Sequence, residues 1–237
     1  MILIFFGVGY WAFSQARSAE QNRVWVGLAK ETAHQLGTPL SSLVAWLEYL
    51  KMSTEDDEEI QSILVEFRKD LGRLELVAER FSKIGSIPSL EPCDLHQQLT
   101  KNFNYMKRRA AKKMQFILPE KTEESVVVNI NPPLFDWVIE NLLKNALDAM
   151  GQEGTISADY VEDKQYICID ISDTGKGIPT SKLKTVFEPG FTTKKRGWGL
   201  GLSLTKRIVE NYHSGKIFVK ESVVNKGTTF RITLPKQ

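Results

Sequence analysis

The chain has 237 residues, 42% apolar and 25% charged, enough to bury one large or two modest cores and to keep them in solution. Its 31 basic and 29 acidic residues leave a formal charge of +2 with no basic stripe, so nucleic acid is not expected as a partner. Cys93 and Cys168 lie far apart without metal-ligand spacing, which argues against a disulfide scaffold or a zinc site and fits a reducing compartment.

In chain order, the first signal is ILIFFGVGYWAF (2–13), an apolar run shorter than the ~20 residues that cross a bilayer as a helix. It has neither the basic start nor the small-residue cleavage site of a signal peptide. It reads as the cytoplasmic end of a membrane helix, with Tyr10 and Trp11 near the interface, or as a hydrophobic cap on a neighbouring helix. A long helix should follow from Ser14 to Lys51. Val26, Ala29, Ala33, Leu36, Leu40, Leu43, Leu47 and Leu50 recur at alternating steps of three and four, a coiled-coil stripe. His34 directly follows a stripe position and should reach water at its flank. Pro39 removes one backbone hydrogen bond and should bend or loosen the helix just after His34.

STEDDEE (53–59) predicts a turn, with Ser53, Thr54 or Asp56 as candidate caps of a second helix. In that helix Ile60, Leu64, Phe67, Leu71, Leu74, Ala78 and Phe81 form one apolar line, and Ile63, Val77 and Ile84 form another beside it. A seam so wide predicts burial against more than one helix, as in a four-helix bundle made by two hairpins. The expected division is therefore a membrane-proximal segment (1–14), a helical hairpin (15–84), a linker GSIPSL (85–90) and a second domain (91–237). In the second domain, helical patterns over 94–113, 132–150 and 203–213 alternate with strand patterns over 115–118, 125–130, 155–161, 165–172, 216–223 and 228–234. The class is α+β: a hairpin followed by an α/β sandwich with helices on one face of a sheet. KRRAAKK (107–113) reads as the solvated end of its helix.

Four strings in this domain carry chemistry. NLLKNALDA places Asn141, Lys144, Asn145 and Asp148 on one helix face, a stripe of oxygens and an ammonium suited to a magnesium triphosphate. DTGKGIP puts Asp173 at a strand end, where it can accept from an exocyclic amine, with Gly175 and Gly177 allowing close approach of a flat ring. FEPGFTTK brings Phe187, Phe191, Thr193 and Lys194 into a segment that reads as a mobile cover. GWGLGLSL places Gly197, Gly199, Leu200 and Gly201 at a helix start, which presents N–H groups to an anion.

In order, these strings resemble the N, G1, F and G2 boxes of the sensor histidine kinase catalytic domain, GTTF (227–230) resembles its last nucleotide-side box, and HQLGTPL (34–40) resembles the family's H-box. The resemblance implies that His34 is the phosphoacceptor and Asn145 a magnesium ligand. It places Asn141 beside Asn145, Lys144 near the phosphates, Asp173 on the adenine amine and Thr228 near the base. It further implies ATP and Mg²⁺ as cofactors, a homodimer, a response regulator receiver domain as partner, and a catalytic part at the cytoplasmic face of the bacterial inner membrane. One departure stands beside His34: Gln35 occupies a position usually held by an acid, and an amide can orient the ring but cannot take its proton. Glu31, on the same face, or water is left as the base. Thr38 matches the position that assists hydrolysis of the phosphorylated regulator. An ATPase of the gyrase type would place a glutamate base where Asn141 stands, and a degenerate kinase would lack part of the set.

Overall fold

The computed structural model describes residues 27, 31–54, 57–84, 89–121, 125–194 and 199–236. The apolar run 2–13, Val26, Ala29, Asp56 and Gly197 therefore lie outside the described residues, and among those described no helix is long and apolar enough to cross a membrane. The chain divides into two compact units between Pro88 and Ser89.

The first unit is a hairpin of α1 (31–53) and α2 (Glu58–Ile84). Leu40 and Leu47 of α1 pack with Leu64, Leu71 and Ala78 of α2, so these two alternate positions of the predicted stripe close the hairpin. The alternate positions Leu36, Leu43 and Leu50 stay exposed, as do Ile63, Phe67, Leu74 and Val77. Helix α1 continues through Pro39, and the Thr38 hydroxyl leans back on the carbonyl of His34 at 3.5 Å. At the turn the cap of α2 is Asp57, whose carboxylate accepts the N–H groups of Glu59 and Ile60, each at 3.1 Å. Ser53 and Thr54, expected to cap α2, instead donate their hydroxyls to the Leu50 carbonyl and finish α1. Gln61 fixes the turn by donating to the carbonyls of Lys51 and Thr54.

The second unit runs β1 (Glu91–Asp94), α3 (Leu95–Lys107), β2 (Lys113–Ile117), β3 (Val127–Ile130), α4 (Pro132–Met150), β4 (Glu153–Glu162), β5 (Tyr166–Asp173), α5 (Gly201–Arg207), β6 (Lys216–Val223) and β7 (Gly227–Pro235). Five strands form one sheet in the order β2-β4-β5-β7-β6, with β2 parallel to β4 and the other pairs antiparallel. Alternation sends Ile167, Ile169 and Ile171 of β5 and Phe230, Ile232 and Leu234 of β7 inward. Leu134, Val138, Ile139 and Leu142 of α4 are buried as well.

Helix α4 starts where its sequence requires. Asn131 accepts from the Leu134 N–H, two prolines occupy the first turn, and Gly151 closes the last. Helix α3 is fastened to it by the buried Asp136, which accepts from Gln98, Lys101 and Asn102 at 2.6–2.7 Å. Three donors on one carboxylate compensate its burial.

Three elements differ from the sequence reading. The short β1, which pairs with β3 outside the main sheet, carries too few residues to show an alternation. Helix α3 ends at Lys107, so RRAAKK turns into β2 rather than lengthening the helix. The predicted helix over 203–213 begins earlier, at Gly201, and widens into a π turn over Ile208–Tyr212. The buried His213 follows that turn. Its Nε2 accepts the Asn131 N–H at 3.0 Å, so Nδ1 carries the hydrogen and donates to the Ile208 carbonyl at 2.9 Å. Burial holds the His213 pKa below its ordinary value, in keeping with a neutral ring that joins the start of α4 to the end of the π turn.

Candidate functional site

A cavity of about 680 Å³ opens between α4, the loop after β5, the β6–β7 turn and the start of α5, within the range of small-molecule sites. Of the predicted residues, Asn141, Lys144, Asn145, Asp148, Asp173, Gly177, Thr193, Lys194, Gly199, Leu200, Gly201 and Thr228 line it together.

At one end the chemistry is that of a flat polar ring. Asp173 is the last residue of β5, and its carboxylate accepts the Gly175 N–H at 2.8 Å and the N–H of Thr228. Burial nevertheless dominates and raises its pKa above the ordinary carboxylate value. Ile178, Val186 and Phe230 supply apolar walls beside it. Gly175 is not on the lining. A Cβ there would stand 2.7 Å from that of Ala149, so the glycine lets the loop pack on the last turn of α4. Gly177 has φ of +68°, and a Cβ would meet the Val223 carbonyl oxygen at 2.2 Å. The loop thus reaches the β6–β7 turn only as glycine. Phe187 also stands off the lining, edge-on to Phe230 with ring centroids 6.1 Å apart, while Phe191 lines the cavity.

At the other end the chemistry is ionic. Lys194 donates to Asn145 Oδ1 at 2.8 Å and to Asp148 Oδ2 at 2.5 Å. Two oxygens one helical turn apart therefore already hold a cation, the donor chemistry a magnesium ion requires. Among the described residues no group of three or more His, Cys, Asp or Glu could hold a metal ion, so phosphate and water oxygens would have to complete the shell. Asn145 and Asp148 fit an ion that arrives with a polyphosphate. Asn141 is otherwise engaged: its amide donates to the Gly201 carbonyl at 3.2 Å and to Thr205 Oγ1 at 3.3 Å, pinning the start of α5 to α4. Glu140 is not among the lining residues.

Sequence reasoning missed Lys176, Ile178, Pro179, Lys182, Val186 and Asn225 on the wall. The string DTGKGIP contained the first, second and third of them. Asn225 comes from the β6–β7 turn, and its place beside the Lys176 carbonyl, which accepts its N–H at 2.9 Å, is a long-range contact without a local signal. Lys144, Lys176, Lys182 and Lys194 give the cavity an excess of positive charge over Asp148 and Asp173, suited to a polyanion.

On the hairpin, His34 is exposed. Beside it the Gln35 amide donates to Glu31 Oε1 at 2.7 Å, so the two residues offered for orientation and proton uptake are joined to one another.

Residues 131–237 match the family of histidine kinase-, DNA gyrase B-, and HSP90-like ATPases. The chain is 30% identical over 213 residues to sporulation kinase A of Bacillus subtilis, covering 89% of this chain and 34% of that protein. To the sensor histidine kinase ZraS of Salmonella typhimurium it is 31% identical over 211 residues, 88% of this chain and 45% of ZraS. Nearly the whole chain is therefore homologous to part of sensor histidine kinases. Among solved structures, the catalytic domain of histidine kinase ThkA superposes with a TM-score of 0.54 at 28% identity, over 62% of this chain and 95% of that domain. ThkA in complex with the response regulator protein TrrA shares the fold over 94% of this chain and 66% of that one, with a TM-score of 0.58 at 21% identity. The chain spans about a third to just under half the length of the two curated relatives.

Proposed function

We propose that the chain is an ATP-dependent protein histidine kinase that phosphorylates His34 and passes the phosphoryl group to an aspartate of a response regulator receiver domain. The observation that carries this is the cavity, where a half-buried acceptor, Asp173, stands at one end and a cation-holding pair, Asn145 and Asp148, at the other. That is the polarity of a nucleotide, base to phosphates. ThkA, which shares the fold, is seen with a response regulator, and this supports the partner class. Asn141 in the place of a glutamate base favours transfer to a protein side chain over activation of water.

Phosphoryl transfer asks mainly for positioning and charge neutralisation. Magnesium, when bound with ATP, would offset the charge of the phosphates. Lys144 and Lys194 add positive charge at the same end. The lone pair of a neutral His34 nitrogen attacks the γ-phosphorus, the bond to the bridging oxygen of ADP breaks, and ADP leaves with that electron pair. The ring must then lose a proton. Since Glu31 engages the Gln35 nitrogen, the Gln35 oxygen is left to accept from the His34 ring N–H and hold the tautomer, with Glu31 or water as final proton acceptor. Incubating the full chain with labelled ATP and magnesium should give acid-labile label that is absent from His34→Ala, and Glu31→Gln should label about tenfold more slowly. Release of free phosphate alone would make the protein an ATPase, and an unchanged rate in Glu31→Gln would remove Glu31 from the proton path.

We also infer phosphatase activity as a second reaction, in which the exposed Thr38 hydroxyl, one turn from His34, would bind the attacking water. Thr38→Ala should slow dephosphorylation of a phosphorylated receiver domain about tenfold while His34 labels normally. An intact dephosphorylation rate in that variant would refute the assignment. The two-hairpin homodimer and an attachment to the cytoplasmic face of a membrane through residues 1–14 belong to the same reading.

A further inference from the structure

Ser222 lies on β6 opposite Thr228 of β7, and no motif of the sequence singles it out. Its hydroxyl is a meeting point of three groups. It accepts the Ile178 N–H at 2.8 Å, and it lies 2.9 Å from Thr228 Oγ1 and 3.2 Å from the Gly227 carbonyl oxygen. A serine hydroxyl has one hydrogen and two acceptor sites, and Ile178 takes one of the latter. The hydrogens can then be arranged in two ways. If Ser222 donates to the Gly227 carbonyl, Thr228 donates to Ser222 and shows the cavity only lone pairs. If Ser222 donates to Thr228, the hydrogen of Thr228 is free to point into the cavity, which Thr228 lines.

Asp173 has no such freedom, because an ionised carboxylate only accepts. The second arrangement therefore presents an acceptor, Asp173, beside a donor, Thr228, on neighbouring strands in register. Adenine is complementary to it, with an amine donor at position 6 and an acceptor nitrogen at position 1. Guanine and hypoxanthine reverse both, with an oxygen at position 6 and an N–H at position 1.

We propose that Ser222 is a positioning residue that turns the Thr228 hydroxyl into the donor for the base ring nitrogen and thereby makes the cavity selective for adenine. The proposal rests on the nucleotide reading above. Ser222 also ties the loop after β5 to β6 through Ile178, and the Asn225 N–H makes a second tie to the Lys176 carbonyl, so loop and hairpin turn move as one. The donor is thus held at a fixed place relative to Asp173.

The test measures binding of ADP and of its 1-deaza analogue, in which C–H replaces the ring nitrogen, to the full chain with magnesium by calorimetry. The parent should prefer ADP about tenfold, the scale of one hydrogen bond in a desolvated site. Ser222→Ala should narrow the preference to about twofold, the loss falling on ADP, and Ser222→Thr should restore it. Ser222→Cys keeps the bulk with a weak donor and should narrow it too, which keeps the test open if the alanine variant does not fold. Equal losses for both ligands in the alanine or cysteine variant would reduce Ser222 to a support of the fold. A full preference in those variants, a folded threonine variant without it, or a parent without any preference would overturn the proposal. A parent that binds neither ligand would be a different result, overturning the nucleotide reading and this inference with it.

Discussion

Asp173→Asn is expected to weaken adenine nucleotide binding by about 10- to 100-fold, the worth of a hydrogen bond to a charged group, while leaving the protein folded and slightly more stable at neutral pH. The two effects come from one cause. Asp173 is a half-buried carboxylate, and that burial raises its pKa despite the N–H groups of Gly175 and Thr228. The ionised form is therefore held at a cost that is absent below the ordinary carboxylate pKa, where folded and unfolded chains are both protonated. The cost grows as pH rises from that value through the raised one and is complete above it. Asparagine removes the charge and the cost, so its unfolding midpoint should exceed that of the parent by about 1–3 °C at pH 7.5 and converge on it by about pH 4. Its amide would turn a donor toward the donor amine of the base. Binding by the parent should also fall on acidification at a higher pH than an ordinary carboxylate would require, because protonation removes the acceptor. Calorimetry and thermal unfolding across pH check both halves. A variant with parental affinity would remove Asp173 from the binding site, and one less stable at pH 7.5 would show that its charge supports the fold.

What the sequence made legible follows the range over which each signal acts. The 19 residues of α4 were readable to the residue because prolines, an asparagine cap and a terminal glycine punctuate them locally. Most residues of the four strings line one cavity, from α4, the loop after β5, the segment 191–194 and the start of α5, whereas Gly175 and Phe187 stand off it. The cap of α2 was misplaced because STEDDEE offers several acids and hydroxyls of similar capping propensity. The choice of Asp57 depends on where Ser53 and Thr54 are used up, at the end of α1. Ser222, His213 and Asn225 were invisible for a different reason. Their partners, Ile178, Asn131 and Lys176, lie 44 to 82 positions away, and only the folded domain brings them together. The engagement of Asn141 with Gly201 and Thr205 belongs to the same class. A helical stripe shows which side chains share a face but not which of them another helix has claimed.

Replacing Leu43 and Phe67 with glutamate is expected to convert a dimer into monomers, with light scattering after size exclusion as the readout. In the single chain, Leu43 is 48% and Phe67 60% exposed, whereas Leu40 and Leu47 in the same stripe are each 6% exposed. The stripe is thus split between two duties: Leu40, Leu47, Leu64, Leu71 and Ala78 close the hairpin, and the alternate positions stand ready for a second hairpin. A face with this spacing and this many apolar side chains is built for knobs-into-holes packing, and another copy of the hairpin carries the matching spacing. Each dimer would contain four substituted positions, and losing about 1.5 kcal/mol of apolar burial at each gives ~6 kcal/mol, or roughly 10⁴-fold in dimer affinity before the added cost of burying charge. The hairpin core keeps all five of its residues, so helical content should be retained. A variant that remains dimeric, or a parent that is monomeric at micromolar concentration, would show that this face serves another purpose. The monomer also decides whose His34 is labelled: label that survives dissociation comes from the chain's own catalytic domain, and label that disappears comes from its mate.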